Sequence, residues 1–166
     1  MQTHAKNKKI YLARVLLTVM CIAMLVFIFS NSLKAGDESS AQSAGLVKTV
    51  QKVVGFFAPN SWVATATGEA FEKLHAIVRT IAHFSEFALL GALCSWCYRA
   101  YTIEKAYFFV VVFFVLLIPV VDEFLQTLTI GRVADIYDVW IDSAGGAVGI
   151  LFALGTLWIA KKIRRK

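Results

Sequence analysis

AYFFVVVFFVLLIPVVDEFL, residues 106–125, carries no charge until Asp122 and Glu123. Twenty residues at 1.5 Å each make a helix about 30 Å long, the thickness of a bilayer's hydrocarbon core. Working outward, three more runs have the same character: Ile10 to Phe29, Thr80 to Tyr98 and Val139 to Ala160. Apolar residues make up 58% of the 166, and the mean hydropathy is +0.68, beyond what a soluble domain of this size carries. A helix satisfies its own backbone in lipid, so the reading is all-α. We expect one domain over residues 1–166, a polytopic membrane helical bundle of four transmembrane helices, with spans at about 10–29, 80–98, 106–125 and 139–160.

Basic residues orient the bundle. Lys6, Lys8, Lys9 and Arg14 precede the first span, Arg99 and Lys105 lie between the second and third, and Lys161, Lys162, Arg164, Arg165 and Lys166 follow the fourth. These are eleven of the seventeen, whereas all the acids except Glu104 fall on the opposite side. The positive-inside rule then places both termini in the cytoplasm of a multi-pass protein of the cytoplasmic membrane. The net charge of +6 reads as attraction to anionic inner-leaflet lipid, because the basic clusters abut membrane helices; nothing supports a nucleic-acid partner. A cleaved signal peptide is the competing reading of the first span, but its apolar stretch is too long and its removal would leave an odd number of spans. The terminal KKIRRK reads as a basic stop rather than an address.

Residues 30–79 form the one long loop, expected to face outward. Asn31 to Ser43, rich in Ser, Gly and charge, reads as a surface connection. Leu46, Val47, Val50, Val53, Val54 and Phe57 then recur at helical spacing, with Lys48, Gln51 and Lys52 opposite, which predicts an amphipathic helix lying on the outer membrane face. Pro59 and Asn60 should end it, and a further helix should run from near Gly68 into the second span. This hairpin is expected to be a lid on the bundle, with a gate for an amphiphile as the sharper alternative. Cys21, Cys94 and Cys97 read as reduced helix residues rather than a redox or zinc pair. Trp96, Tyr98, Tyr101 and Trp158 on the inner side and Trp140 on the outer side suit interfacial belts.

Charges inside such segments are costly. An Asp, Lys or Arg at mid-membrane costs about 2.5 to 3.5 kcal/mol on insertion scales, and such residues pair, line a cavity or mark a pathway. Their depths coincide. His83 lies about 6 Å below the outer start of its helix at Arg79, and Asp122 is about 22 Å from Tyr107 and so near the outer surface. Asp138 and Asp142 sit at the outer start of the last span, one turn apart. Glu86 shares the face of His83 at i+3, and Gln126 can bond Asp122 at i+4 while Glu123 points elsewhere. Pro119 removes a backbone donor and can tilt the acidic turn. Asp135, Asp138 and Asp142 precede Gly145 and Gly149, whose G-x-x-x-G spacing lets a neighbouring helix approach closely.

These residues carry a resemblance. RTIAHFSEFALLG (79–91), then DEFLQ (122–126), then GRVADIYDVWIDSAGGAVG (131–149), with an early FSNS (29–32) and GDESSAQS (36–43), resembles the VanZ-like family of small bacterial membrane proteins. The likeness runs from about Phe27 to Ile150. Phe87 stands where the family often has tyrosine, which puts any phenol chemistry there in doubt, and Asp142 where asparagine is common. The resemblance implies a bacterial cell-envelope protein whose namesake is associated with resistance to teicoplanin, a lipoglycopeptide.

Two functions from different classes follow. In the first, the outward polar cluster binds a lipid, a lipid-linked wall precursor or a lipopeptide, through His83, Glu123, Gln126, Arg132, Asp138 and Asp142. Arg132 there either forks a phosphate or carboxylate or neutralises Asp135 and Asp138. In the second, a hydrolase or transferase acts on a lipid-linked substrate, with His83, Glu86, Asp122 and Glu123 as catalytic candidates and Arg132 stabilising an anion. No cofactor is expected. His83, Asp122, Glu123 and Asp138 form a secondary candidate set for a metal, and the purely structural alternative for the whole cluster is an ion-pair knot fixing helix register. A homo-oligomer through Gly145 and Gly149 is a further expectation.

Overall fold

The computed structural model describes residues 2–101, 107–163 and 165. The side chains of Lys6 and Lys9, together with Glu104, Lys105, Arg164 and Lys166, lie outside the described residues, as does the expected start of the third span at Ala106.

Six helices follow one another: α1 (Gln2–Ser32), α2 (Gly36–Phe57), α3 (Trp62–Thr65), α4 (Glu69–Tyr101), α5 (Tyr107–Thr127) and α6 (Ile136–Ile163). Four are long and apolar enough to cross a membrane, over Ile10–Ser32, Glu69–Tyr101, Phe108–Thr127 and Ile136–Ile163. Each expected span is thus present, but α1, α4 and α6 overrun it with polar turns that hydropathy does not register. Helix α4, at 33 residues, is about 50 Å long, about 20 Å more than the bilayer core is thick.

α4 and α6 share the largest interface, and glycines make it. A Cβ on Gly145 would run into the carbonyl oxygen of Phe84, one on Gly149 into that of Ala88, and one on Gly91 into that of Gly146. Backbones this close gain dispersion contact without freezing side chains. The glycine face is therefore taken up by α4 within the chain. Elsewhere Ile28 of α1, Phe87 and Leu90 of α4 and Ile118 of α5 bury one another, while Val111 and Val115 of α5 pack on Ile150 of α6.

The 30–79 segment differs from the expected connection. Helix α1 continues through Asn31 to Ser32, and α2 begins at Gly36 with Asp37 and Glu38 in its first turn, where carboxylates favour a helix start. Only three residues join the two helices. Gly36 is needed there: its N–H donates to the Ile130 carbonyl at 3.0 Å, and a Cβ would collide with the Gly131 carbonyl oxygen. Gly131, at φ +77°, supplies the left-handed turn on the other side of this contact.

The chain turns at Pro59 and Asn60 and re-enters α4 after Gly68, both as expected. Val47 of α2, Ala66, and Leu74 and Val78 of α4 form a small core, so the hairpin packs on the projecting part of α4. Gln51 departs from the polar face assigned to it, its Nε2 donating to the carbonyls of Val63 and Ala66 at 3.1 and 2.9 Å. The apolar stripe accordingly splits. Val47 and Val50 pack inward, while Val53, Phe56, Phe57 and Trp62 remain exposed.

At the opposite end, Arg14 Nε donates to the Ala100 carbonyl at 2.8 Å, and Thr18 and Tyr101 hydroxyls are 3.0 Å apart. Trp140 and Trp158 are exposed as belt residues would be, but Trp96 turns inward and donates to Thr156 Oγ1 at 3.0 Å. The three cysteines are free thiols.

Candidate functional site

At the end of the bundle where α2 docks, α1, α4, α5 and α6 each contribute buried polar groups. Asp122, Glu123, Gln126, Asp142 and Ser32 are all less than a tenth exposed. The Asp122 carboxylate accepts from Ser32 Oγ in a short hydrogen bond and from Gln126 Nε2 at 3.1 Å. Glu123, about 100° further round the helix, accepts the backbone N–H of Asp135 at 2.5 Å. One acid thus faces α1 and the other fixes the α5–α6 loop. Thr129 Oγ1 adds a link to the Ser32 carbonyl at 3.2 Å, and exposed Asp135 caps α6 by accepting the Tyr137 N–H at 2.9 Å.

The glycine interface brings the next pair together. Phe84 lies against Gly145, so the residues just outside that contact, His83 and Asp142, face each other with Nδ1 and Oδ2 3.9 Å apart. That is too long for a hydrogen bond. His83 Nδ1 and Asp142 Oδ1 are buried and have no hydrogen-bond partner. Asp122 completes the group, since one ligand-capable atom from each of His83, Asp122 and Asp142 lies within 4.8 Å of the others. Of the four residues set out as metal candidates, His83 and Asp122 converge. Glu123 is turned to Asp135, half-buried Asp138 lies one turn outward, and Asp142 takes the third place.

Beside this group lies a cavity of about 390 Å³, lined by Phe27 and Asn31 of α1, by Ser39, Gln42, Ser43 and Leu46 of α2, by Arg79, Ala82, His83 and Glu86 of α4, and by Arg132. Arg132 Nη2 makes a short hydrogen bond to Ser39 Oγ, and Nη1 is buried without a partner. No ion pair within 4.0 Å joins Arg132 to Asp135 or Asp138. Burial lowers the Arg132 pKa from its ordinary value and Arg79 acts the same way, while Asp122, Glu123 and Asp138 oppose them. A guanidinium stays charged even so, leaving a cation with a spare donor at the cavity wall. Lys34 is not free to join it, because its Nζ donates to Asn31 and Gln42 at 2.9 and 2.6 Å.

A family model described as VanZ/LLP1 matches residues 16–159. The chain belongs to the VanZ/LLP1 family. The match covers all four candidate spans in the main, the docked hairpin and every residue of the VanZ/LLP1 site described above. No curated protein and no solved structure matches the chain significantly.

Sequence reasoning placed His83, Asp122, Asp138 and Asp142 at one depth of this VanZ/LLP1 bundle; His83, Asp122 and Asp142 are brought together, Asp138 lies one turn away, and Gln126 bonds Asp122 as its i+4 spacing suggested. It assigned no role to Ser32, Ser39, Gln42, Ser43 or Arg79. For the α2 residues a signal existed: Ser39, Gln42 and Ser43 follow i, i+3, i+4 spacing and share one helical face. Reading that stretch as a connection hid the pattern. Ser32 lies in the FSNS stretch that carried the resemblance, but nothing in that stretch pointed to Asp122 as its partner.

Proposed function

We propose that this VanZ/LLP1 member is a bacterial envelope protein of the cytoplasmic membrane, with both termini cytoplasmic, that receives the anionic head group of an amphiphile in the cavity beneath α2. The supporting observation is the buried, unpartnered Nη1 of Arg132 on the wall of that cavity. An unsatisfied buried donor on a charged group costs free energy, which a phosphate or carboxylate oxygen offsets. Arg79 supplies a second guanidinium, the Ser39 hydroxyl, whose oxygen accepts from Arg132, supplies a neutral donor, and Phe27 and Leu46 give the mouth an apolar side. The exposed Phe56, Phe57 and Trp62 suit a lid whose tip rests in the outer leaflet. Lipids, lipid-linked wall precursors and lipopeptides share this chemistry, which links the site to the teicoplanin resistance associated with the family's namesake.

The test is thermal melting of the protein in nanodiscs, with lipids that match in chain and differ in head-group charge. Anionic head groups should raise the melting temperature, and Arg132→Gln should abolish the rise; equal shifts with zwitterionic lipid would refute the reading. In cells lacking the endogenous protein, Arg132→Gln and His83→Gln should lose resistance at normal membrane abundance. Loss of resistance only in step with abundance would instead mark the cluster as a register-fixing knot.

A hydrolase or transferase reading is favoured by one observation, that His83 both lines the cavity and faces Asp142. General base chemistry uses a histidine hydrogen-bonded to a carboxylate, an arrangement that this pair would reach by closing its 3.9 Å gap. That reading requires turnover of a lipid-linked substrate that is lost in His83→Gln with binding retained.

A further inference from the structure

We infer that His83, Asp122 and Asp142 hold one divalent transition-metal ion of the Zn²⁺ or Mn²⁺ class, at the inner wall of the head-group cavity. The three residues come from α4, α5 and α6, and none is held there by a bond to another of the three. Asp142 is 1% exposed, its Oδ1 has no hydrogen-bond partner, and its Oδ2 faces a His83 Nδ1 that has none either. Among the described residues, no lysine or arginine pairs with Asp122 or Asp142 within 4.0 Å. One divalent ion supplies the two positive charges that two carboxylate ligands balance, with the imidazole nitrogen as a third ligand.

The spacing fits an ion better than a hydrogen bond. Ligand atoms 2.0 to 2.2 Å from a tetrahedral ion stand about 3.3 to 3.6 Å apart. Nδ1 and Oδ2 are 3.9 Å apart, and the three ligand atoms lie within 4.8 Å of one another. Closing that gap needs adjustments of about an ångström. Asp122 already has an outer shell, with Ser32 Oγ on one carboxylate oxygen and Gln126 Nε2 on the other, each leaving a lone pair free. One imidazole nitrogen with carboxylate oxygens favours Zn²⁺ or Mn²⁺ over Mg²⁺ or Ca²⁺. Three protein ligands leave a coordination position open, as in ion sites that exchange a ligand. His83 also lines the head-group cavity, so an oxygen of a bound head group could take that position.

The test uses the full-length protein in detergent, stripped with chelator and dialysed against Zn²⁺ or Mn²⁺, with metal content and melting temperature both measured. One ion per chain is expected, with a melting temperature that rises with metal concentration. His83→Gln and Asp142→Asn should each weaken binding at least tenfold, while His75→Gln, at a histidine outside the group that is hydrogen-bonded to Ser43, should leave it unchanged. Absence of stoichiometric metal in wild type, or metal retained in both site variants, would overturn the proposal. Should the variants fail to fold, Mn²⁺-loaded wild type decides by electron spin resonance: nitrogen hyperfine coupling is expected from the imidazole, and its absence overturns the site. The head-group reading is tested separately, since anionic lipid should still shift the melting temperature of chelator-stripped protein.

Discussion

Asp122 and Glu123 are neighbours in sequence with opposite commitments. Asp122 takes its donors from Ser32 and Gln126, and Glu123 takes its donor from the Asp135 backbone. Ser32→Ala removes one donor from a carboxylate that is 1% exposed. Leaving a buried acceptor unpaired costs about 1 to 3 kcal/mol, more when it is charged. We therefore expect Ser32→Ala to lower the unfolding free energy in mixed detergent by at least that amount, and Ser30→Ala, whose hydroxyl bonds only the Phe27 carbonyl on an exposed face, to change it little. Equal effects at the two serines would count against Asp122 as a buried acceptor.

Among the elements, α6 decides where the site can form. Its glycines let α4 approach until Phe84 meets Gly145, and Asp142 is then opposite His83. Gly145→Ala or Gly149→Ala forces the two backbones apart, at about 1 to 3 kcal/mol. Gly155, with nothing within 4 Å of a Cβ, is the matched control, and Gly155→Ala should leave the melting temperature unchanged or slightly higher. This interface was legible in the sequence, because G-x-x-x-G spacing and an acidic turn one step before it state both the close approach and what it carries. The four spans were legible for a different reason, since apolar length alone identifies them. The start of α2 was not: Ser, Gly and charge fit a loop and a solvated helix turn equally well, and the contact that selects the helix, Gly36 on Gly131, joins residues 95 apart in the chain. Asp142 rather than Glu123 beside His83 was equally hidden, because depth follows from counting along a helix whereas rotation about its axis depends on the packing.

For the molecule as a whole, the orientation proposed above puts the two termini on one side of the membrane and the α2–α3 hairpin on the other. Reporter fusions after residue 166 and within the turn at Pro59 and Asn60 should therefore give opposite signals, the first cytoplasmic and the second external. Matching signals would mean that one candidate span does not cross. The Ser32–Asp122 bond bears on how such a chain is made. Its partners are 90 residues apart, so during synthesis α1 enters the bilayer long before the acid it will hold exists. When α5 follows, with two carboxylates near its outer end, Ser32 and His83 are already inserted and waiting. The growing bundle, rather than lipid, is then the solvent into which the acidic turn emerges, and a ribosome-released α5 without α1 and α4 ahead of it should insert poorly.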